Sequence, residues 1–178
     1  MEILAIGELL RKVIKSGFEQ GILLRGAIGS GEYIYIQEKS IIIGPAVSDV
    51  AHWYERADWA GVIATPCLGI RLSLFKEIFR KKFQVATMSA WFDQYDVPLA
   101  GGGKHKLWAI CWPSTYYQVE DPEKVVATAR ENFFSALQKF PIPMDAAKKF
   151  SNTIEFFDWN APKAKDVAAA FKLFEKKS

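Results

Sequence analysis

The sequence predicts an α+β fold, and three observations carry that reading. Short apolar and β-branched runs, Ile22 to Ile28, Tyr33 to Ile36, Ile41 to Ile43 and Val62 to Thr65, have the length and residue types of strands. Segments with apolar residues at helical spacing stand between and after them. The order strand, strand, helix, strand fits helices laid on one face of a sheet, with further helices at the C-terminal end.

Taken in order, residues 2 to 19 place Ile3, Ile6, Leu10, Val13, Ile14 and Phe18 on one helical face, and Gly21 ends that helix. Ile22 to Ile28 and Tyr33 to Ile36 read as a hairpin joined through Gly29-Ser30-Gly31. A Gln37 to Ser40 turn leads to Ile41 to Ile43, a run suited to a buried strand. Pro45 starts a helix that turns Ala46, Val47, Val50, Ala51 and Tyr54 inward and leaves Asp49, Glu55 and Arg56 to solvent. Val62 to Thr65 is a short strand stopped by Pro66. Ile70 to Phe83 is an amphipathic helix with Leu74, Phe75, Ile78 and Phe79 inward and Lys76, Arg80 and Lys81 outward.

Residues 92 to 99 and 107 to 112 form a second hairpin around Ala100 to Gly103. Its arm LWAICW is apolar throughout, the mark of a strand buried on both faces. Asp121 and Pro122 open a helix to about Phe140, broken by Pro141 and Pro143. Helices over 144 to 159 and, after Asn160, 161 to 177 complete one domain spanning 1–178. Residues 1–112 are its α/β core and 113–178 a mainly helical C-terminal extension.

Composition excludes several classes. Half the residues are hydrophobic and 14% aromatic, too many for a disordered chain. No apolar run reaches the roughly 18 to 20 residues that span a bilayer. The N-terminus lacks the basic region and cleavage site of a signal peptide, so the expectation is a cytoplasmic protein with no membrane partner. Cys67 and Cys111 read as buried thiols rather than a disulfide. A net charge of +3, with basic residues clustered on helices, gives no nucleic-acid footprint.

Single motifs fail on mechanism. Gly26, Gly29 and Gly31 lead into a strand, whereas a dinucleotide loop delivers pyrophosphate to a helix N-terminus. Gly101-Gly102-Gly103-Lys104 lies between two strands and reads as a hairpin tip, not a phosphate loop. His52, His105, Cys67 and Cys111 are scattered singly, without metal-ligand spacing, and His52 reads as a half-buried structural histidine. Asp93, Asp96, Glu120 and Asp121 read as caps or solvated loop groups. The six tryptophans, lacking a basic strip beside them, read as core or interface residues.

The run RGAIGSGE from Arg25, then IIIGPAVSDVAHWYE from Ile41 and GVIATP from Gly61, resembles the class III nucleotidyl (adenylate/guanylate) cyclase domain. It is more similar still to prokaryotic cyclase-like proteins with an LRGAI-x-x-GE strand and a GPA-V helix start. LAGGGKHKLW, Leu99 to Trp108, stands where such domains carry a lysine-bearing hairpin. The resemblance covers roughly residues 3 to 112. It implies a ferredoxin-like, nucleotidyl-cyclase-like sheet with helices packed on it, and dimers with sites at the subunit interface. The nucleotide-contacting positions it implies are Pro45, Ser48, His52, Gly101, Gly102, Lys104 and Lys106. At these the purine-reading residue is Pro45, the transition-state asparagine is Ser48 and the phosphate-stabilising arginine is His52. The hairpin lysines fall on Ala100 and Gly102, with Lys104 and Lys106 nearby. The family's two metal-binding aspartates belong to elements ahead of Met1.

Cyclisation needs two magnesium ions and fixed cations where charge develops. The expectation is therefore a non-catalytic cyclase-like domain with no cofactor, serving oligomerisation or regulation as a homodimer or with a partner chain. The alternative is the C-terminal part of a nucleotide cyclase or nucleotide-binding protein. Magnesium and a nucleoside triphosphate would then bind through aspartates of a partner or a missing N-terminal segment. A third reading is a small-ligand sensor using the groove under Gly101 to Lys106. In each, the absent strand leaves a sheet edge to be covered.

Overall fold

The structure, a computed structural model, describes residues 2–83, 88–117 and 124–168, with the side chains of the 66–83 helix described as far as Ile78. The elements in chain order are α1 (Glu2–Glu19), β1 (Arg25–Ile28), β2 (Ile34–Ile36), β3 (Ile41–Ile43), α2 (Pro45–Trp53), β4 (Gly61–Ala64), α3 (Pro66–Phe83), β5 (Phe92–Pro98), β6 (Lys104–Ile110), α4 (Val125–Leu137) and α5 (Ala147–Asn160). The α+β class is what the structure has. A mixed sheet of order β1-β4-β6-β5 carries the helices, and β2 and β3 form a separate ribbon.

β1 runs parallel to β4, Arg25 opposite Gly61 and Ile28 opposite Ala64. β6 is antiparallel to both β4 and β5. The expected hairpin between Ile22–Ile28 and Tyr33–Ile36 is therefore not formed. β1 pairs with β4, and β2 pairs with β3, Ile34 opposite Ile43. Both segments are strands, but strand propensity does not name a partner. The second expected hairpin is present, with Leu107 to Trp112 buried throughout.

Register and alternation sort the side chains by face. Tyr95, Leu107, Ala109 and Ile63 share one face, Phe92, Gln94, Trp108 and Ile110 the other. Helices cover both faces, not one as expected. α1 lies against Phe92, and Ser73 of α3 accepts a hydrogen bond from Trp108 Nε1 at 3.0 Å. On the opposite face α5 brings Phe156 and Trp159 to the Tyr95 ring, each at 4.9 Å. α2 lies there too, with Val50 Cγ2 only 2.8 Å from where a Gly29 Cβ would sit.

α1 ends as its glycine foretells. Gly21 takes φ 73°, its N–H donates to Phe18 O at 3.1 Å, and Ile22 N–H donates to Gly17 O at 2.8 Å. These bonds satisfy the last helical carbonyls. Its inner face is rotated from the expected one. Gly7, Arg11, Ile14, Gly17 and Phe18 are buried, while Ile6 and Val13 are exposed. The close approach to the sheet selects this, since a Cβ at Gly7 would stand 2.7 Å from Phe92 Cε2.

α3 starts at Pro66 and buries Leu68 and Leu72 with Phe75 half-buried, leaving Leu74 and Ile78 exposed against expectation. In and just after α2, Ala46, Val47 and Val50 are half-buried and Glu55 and Arg56 exposed as the amphipathic reading has it, but Asp49 is half-buried and Ala51 and Tyr54 are exposed against it. The Ile41 to Ile43 strand is exposed along its length rather than buried. Each error has one source. Apolar spacing finds an amphipathic element, whereas the face that is buried depends on its neighbours.

The C-terminal helices are part of the core. Trp112, in a 3-10 turn, packs against Phe18, Phe133, Phe156 and Phe157. Each such ring contributes about 1.5 to 3 kcal/mol by leaving water, so their shared cluster outweighs any single surface contact. α5 also pins the segment before β4: Thr153 Oγ1 accepts from Ala60 N–H, and Asn152 Nδ2 donates to Asp58 O. Asn160 is no break, because a 3-10 turn, Ala161–Lys163, continues from it into helix through residue 168. The expected Asp121-Pro122 start and the end of the last helix lie outside the described residues. No helix among the described residues is long and apolar enough to cross a membrane.

Candidate functional site

The positions singled out by sequence come from α2 and from the β5–β6 hairpin. Pro45 occupies the first turn of α2 and lines a groove of about 580 Å³ with Gly31, Glu32, Tyr33, Ile34, Ile43 and Gly44. Ser48 and His52 follow on the same helix, both exposed, and His52 Nδ1 lies 2.7 Å from Ser48 O. His52 is thus a surface residue bound to its own helix, not the half-buried group expected.

Gly101 and Gly102 form the hairpin tip, where a Cβ on either would meet nothing within 4 Å. The tip closes on itself: Gly102 N–H donates to Leu99 O at 2.9 Å, and Leu99 N–H to Gly103 O at 3.1 Å. Those amides are spent on the turn, which agrees with a hairpin tip rather than an anion cradle. Lys104 turns to Glu155 of α5 at 3.3 Å. Lys106 lines a cavity of about 220 Å³ that includes Ser73, Gln94 and Trp108.

The two sets do not converge. Alternation puts Lys106 with Gln94 and Trp108, on the face covered by α1 and α3. α2, with Pro45, Ser48 and His52, lies over the opposite face. Their meeting point is an aromatic contact, Trp53 to His105, with ring centroids 6.5 Å apart.

Sequence reading missed a buried hydroxyl just after β4, beside the end of β1. Thr65 is fully buried, and its Oγ1 lies 3.5 Å from the place of a Gly29 Cβ. Thr65 Oγ1, Ser30 Oγ and Asp49 Oδ2 are all buried without a hydrogen-bond partner. The only trace in the sequence is Gly29, which lets α2 approach. Among the described residues no three His, Cys, Asp or Glu side chains group as a metal site.

The cysteines divide. Cys111 is buried, and burial, reinforced by Asp93, pushes its thiol well up. Cys67 is exposed at the start of α3, contrary to the expected burial, and both thiols are free. Asp93 is not a solvated loop group: Lys163 holds it at 2.6 Å. Comparison with protein-family models, curated proteins and solved structures finds no match to this chain.

Proposed function

We propose that the chain is a nucleotidyl-cyclase-like domain without catalytic activity of its own, acting as an oligomerisation or regulatory module. The observation that carries this reading is the separation of the two candidate sets. A cyclase would need the α2 groups and the hairpin lysines around one triphosphate. Here Lys106 lies on the face opposite α2 and Lys104 is paired with Glu155 of α5, while Pro45, Ser48 and His52 supply neither the polar base contact nor the fixed cation that such chemistry uses.

Incubation with ATP, GTP, CTP and UTP, with magnesium or manganese, tests the proposal. The expected outcome is no cyclic nucleotide above background; robust formation by the purified chain would overturn it.

A second reading, in which a partner chain or preceding segment supplies metal-binding aspartates, draws support from β1. Among the described residues that strand pairs on one side only, with β4, so its outer edge is open to an added strand. An adjoining coding segment with a strand bearing such an aspartate, and activity on co-expression, would favour it.

A further inference from the structure

A polar cavity of about 310 Å³ opens between the C-terminal half of α1, the 3-10 turn Trp112–Tyr116 and α4. Its volume lies at the lower end of the range for small-molecule sites. α1 supplies Lys15 and Glu19, and the turn supplies Tyr116. α4 supplies Asn132 and Ser135, and Lys139 follows just past its end. Spacings of three and four residues put these last three on one side. The α2 and hairpin positions discussed above take no part in it.

Tyr116 is the floor. The residue is only 5% exposed, yet its hydroxyl is buried without a hydrogen-bond partner. Its ring is fixed by Phe133 at 5.7 Å, Phe157 at 6.1 Å and Trp112 at 6.4 Å, and Lys15 Nζ stands 5.3 Å from its centroid. Burial, and then the negative charge of Glu19 on another wall of the cavity, push the phenol pKa up. The hydroxyl therefore keeps its proton and can donate. A buried donor left unpaired costs free energy, so an acceptor entering the cavity gains a contact that the fold itself does not supply.

Charge sets the kind of acceptor. Lys15 Nζ lies 3.7 Å from Glu19 Oε1, which leaves Lys139 as the lining cation without an ion-pair partner among the described residues. The lining side chains thus carry one surplus positive charge. α1 and α4 both bring their C-terminal ends here, Glu19 and Leu137 being their last residues. Those carbonyl ends disfavour a second negative charge on the ligand. Asn132 and Ser135 add an amide and a hydroxyl, each able to donate and accept.

We infer that this cavity binds a small hydroxylated monocarboxylate, its carboxylate met by Lys139 and the Tyr116 hydroxyl and its own hydroxyls by Asn132 and Ser135. The inference stands apart from the cyclase-like reading, whose candidate positions lie elsewhere.

Glycerate is the probe, titrated into the isotopically labelled chain at constant ionic strength and followed by amide NMR shifts. The expected result is saturable shifts centred on amides of 15–19, 115–116 and 132–139, with a dissociation constant of about 1 mM or below. Glycerol, which lacks the carboxylate, produces none, and phosphate dianion binds at least about tenfold more weakly. Tyr116→Phe and Lys139→Met each weaken glycerate about tenfold or more. Without glycerate, Tyr116→Phe melts at or above wild type, because only an unpaired hydroxyl is removed; this separates lost binding from lost folding. No shifts up to about 50 mM, shifts centred elsewhere, an equal response to glycerol, tighter phosphate binding, or full binding by either variant overturns the inference. A Tyr116→Phe chain that melts well below wild type also overturns it, since the hydroxyl would then have a partner within the fold.

Discussion

Trp53 and His105 meet with ring centroids 6.5 Å apart, and through that contact α2 touches the start of β6. The contact is aromatic and lies between the two sets of residues that a cyclase would bring around its nucleotide.

Restoring the family's side chains on α2 alone is therefore not expected to restore chemistry. The triple variant Pro45→Asp, Ser48→Asn, His52→Arg should stay at background in a cyclic-nucleotide assay read by mass spectrometry. One transition-state donor is worth about 2.7 to 4 kcal/mol only where it faces the reacting group. Activity clearly above background would show that α2 addresses a complete site.

Gly44 joins the ribbon to α2 at φ 144°, with two backbone atoms inside 3 Å of any added Cβ. Gly44→Ala should cost about 1 to 3 kcal/mol, the range for a residue held in a conformation it disfavours. Urea denaturation checks it, and an unchanged midpoint would contradict the account.

Glu8 links α1 to the sheet. Its Oε2 accepts from Arg11 Nε at 2.6 Å and Trp91 Nε1 at 3.2 Å, and its Oε1 lies 3.0 Å from Lys12 Nζ. Partial burial pushes its pKa up, but the hydrogen bonds and charges of Lys12 and Arg11 outweigh that and leave it below the ordinary value. A carboxylate with a depressed folded pKa stabilises above its unfolded value of about 4.3, and loses that stabilisation as pH falls through the folded value. Glu8→Gln should cost about 1 kcal/mol at neutral pH, a buried-pair effect reduced by solvent screening. The gap from wild type should close on acidification below about pH 4, as thermal denaturation across pH will show.

The two thiols should separate cleanly in a native-state labelling experiment. Cys67 is exposed and should react at once with a disulfide reagent. Cys111 is fully buried with its thiol held protonated, and should react only at the rate of unfolding. Two fast thiols would mean that the core around Trp112 is open.

Much of this was legible residue by residue. The stop at Gly21, the start at Pro45, the hairpin about Gly101 to Gly103 and the buried LWAICW arm follow from local conformational preference and apolar runs. The candidate site was less legible. Ser48 and His52 were identified as positions, but their distance from Lys106 depends on which face of the sheet α2 covers. The buried Thr65 hydroxyl faces Gly29 only because β1 and β4 run side by side.

The sequence alone determined the α+β class, the helix and strand segments and the side chains available at Pro45, Ser48 and His52, because these depend on short-range sterics and residue chemistry. The tertiary structure alone decided that β1 pairs with β4, that Arg11 rather than Ile6 faces inward, and that Ile41 to Ile43 stand in solvent. Strand pairing and helix rotation are settled by contacts between residues far apart in the chain. An apolar run looks the same in sequence whether the fold buries it, as in β4, or leaves it in solvent, as in β3.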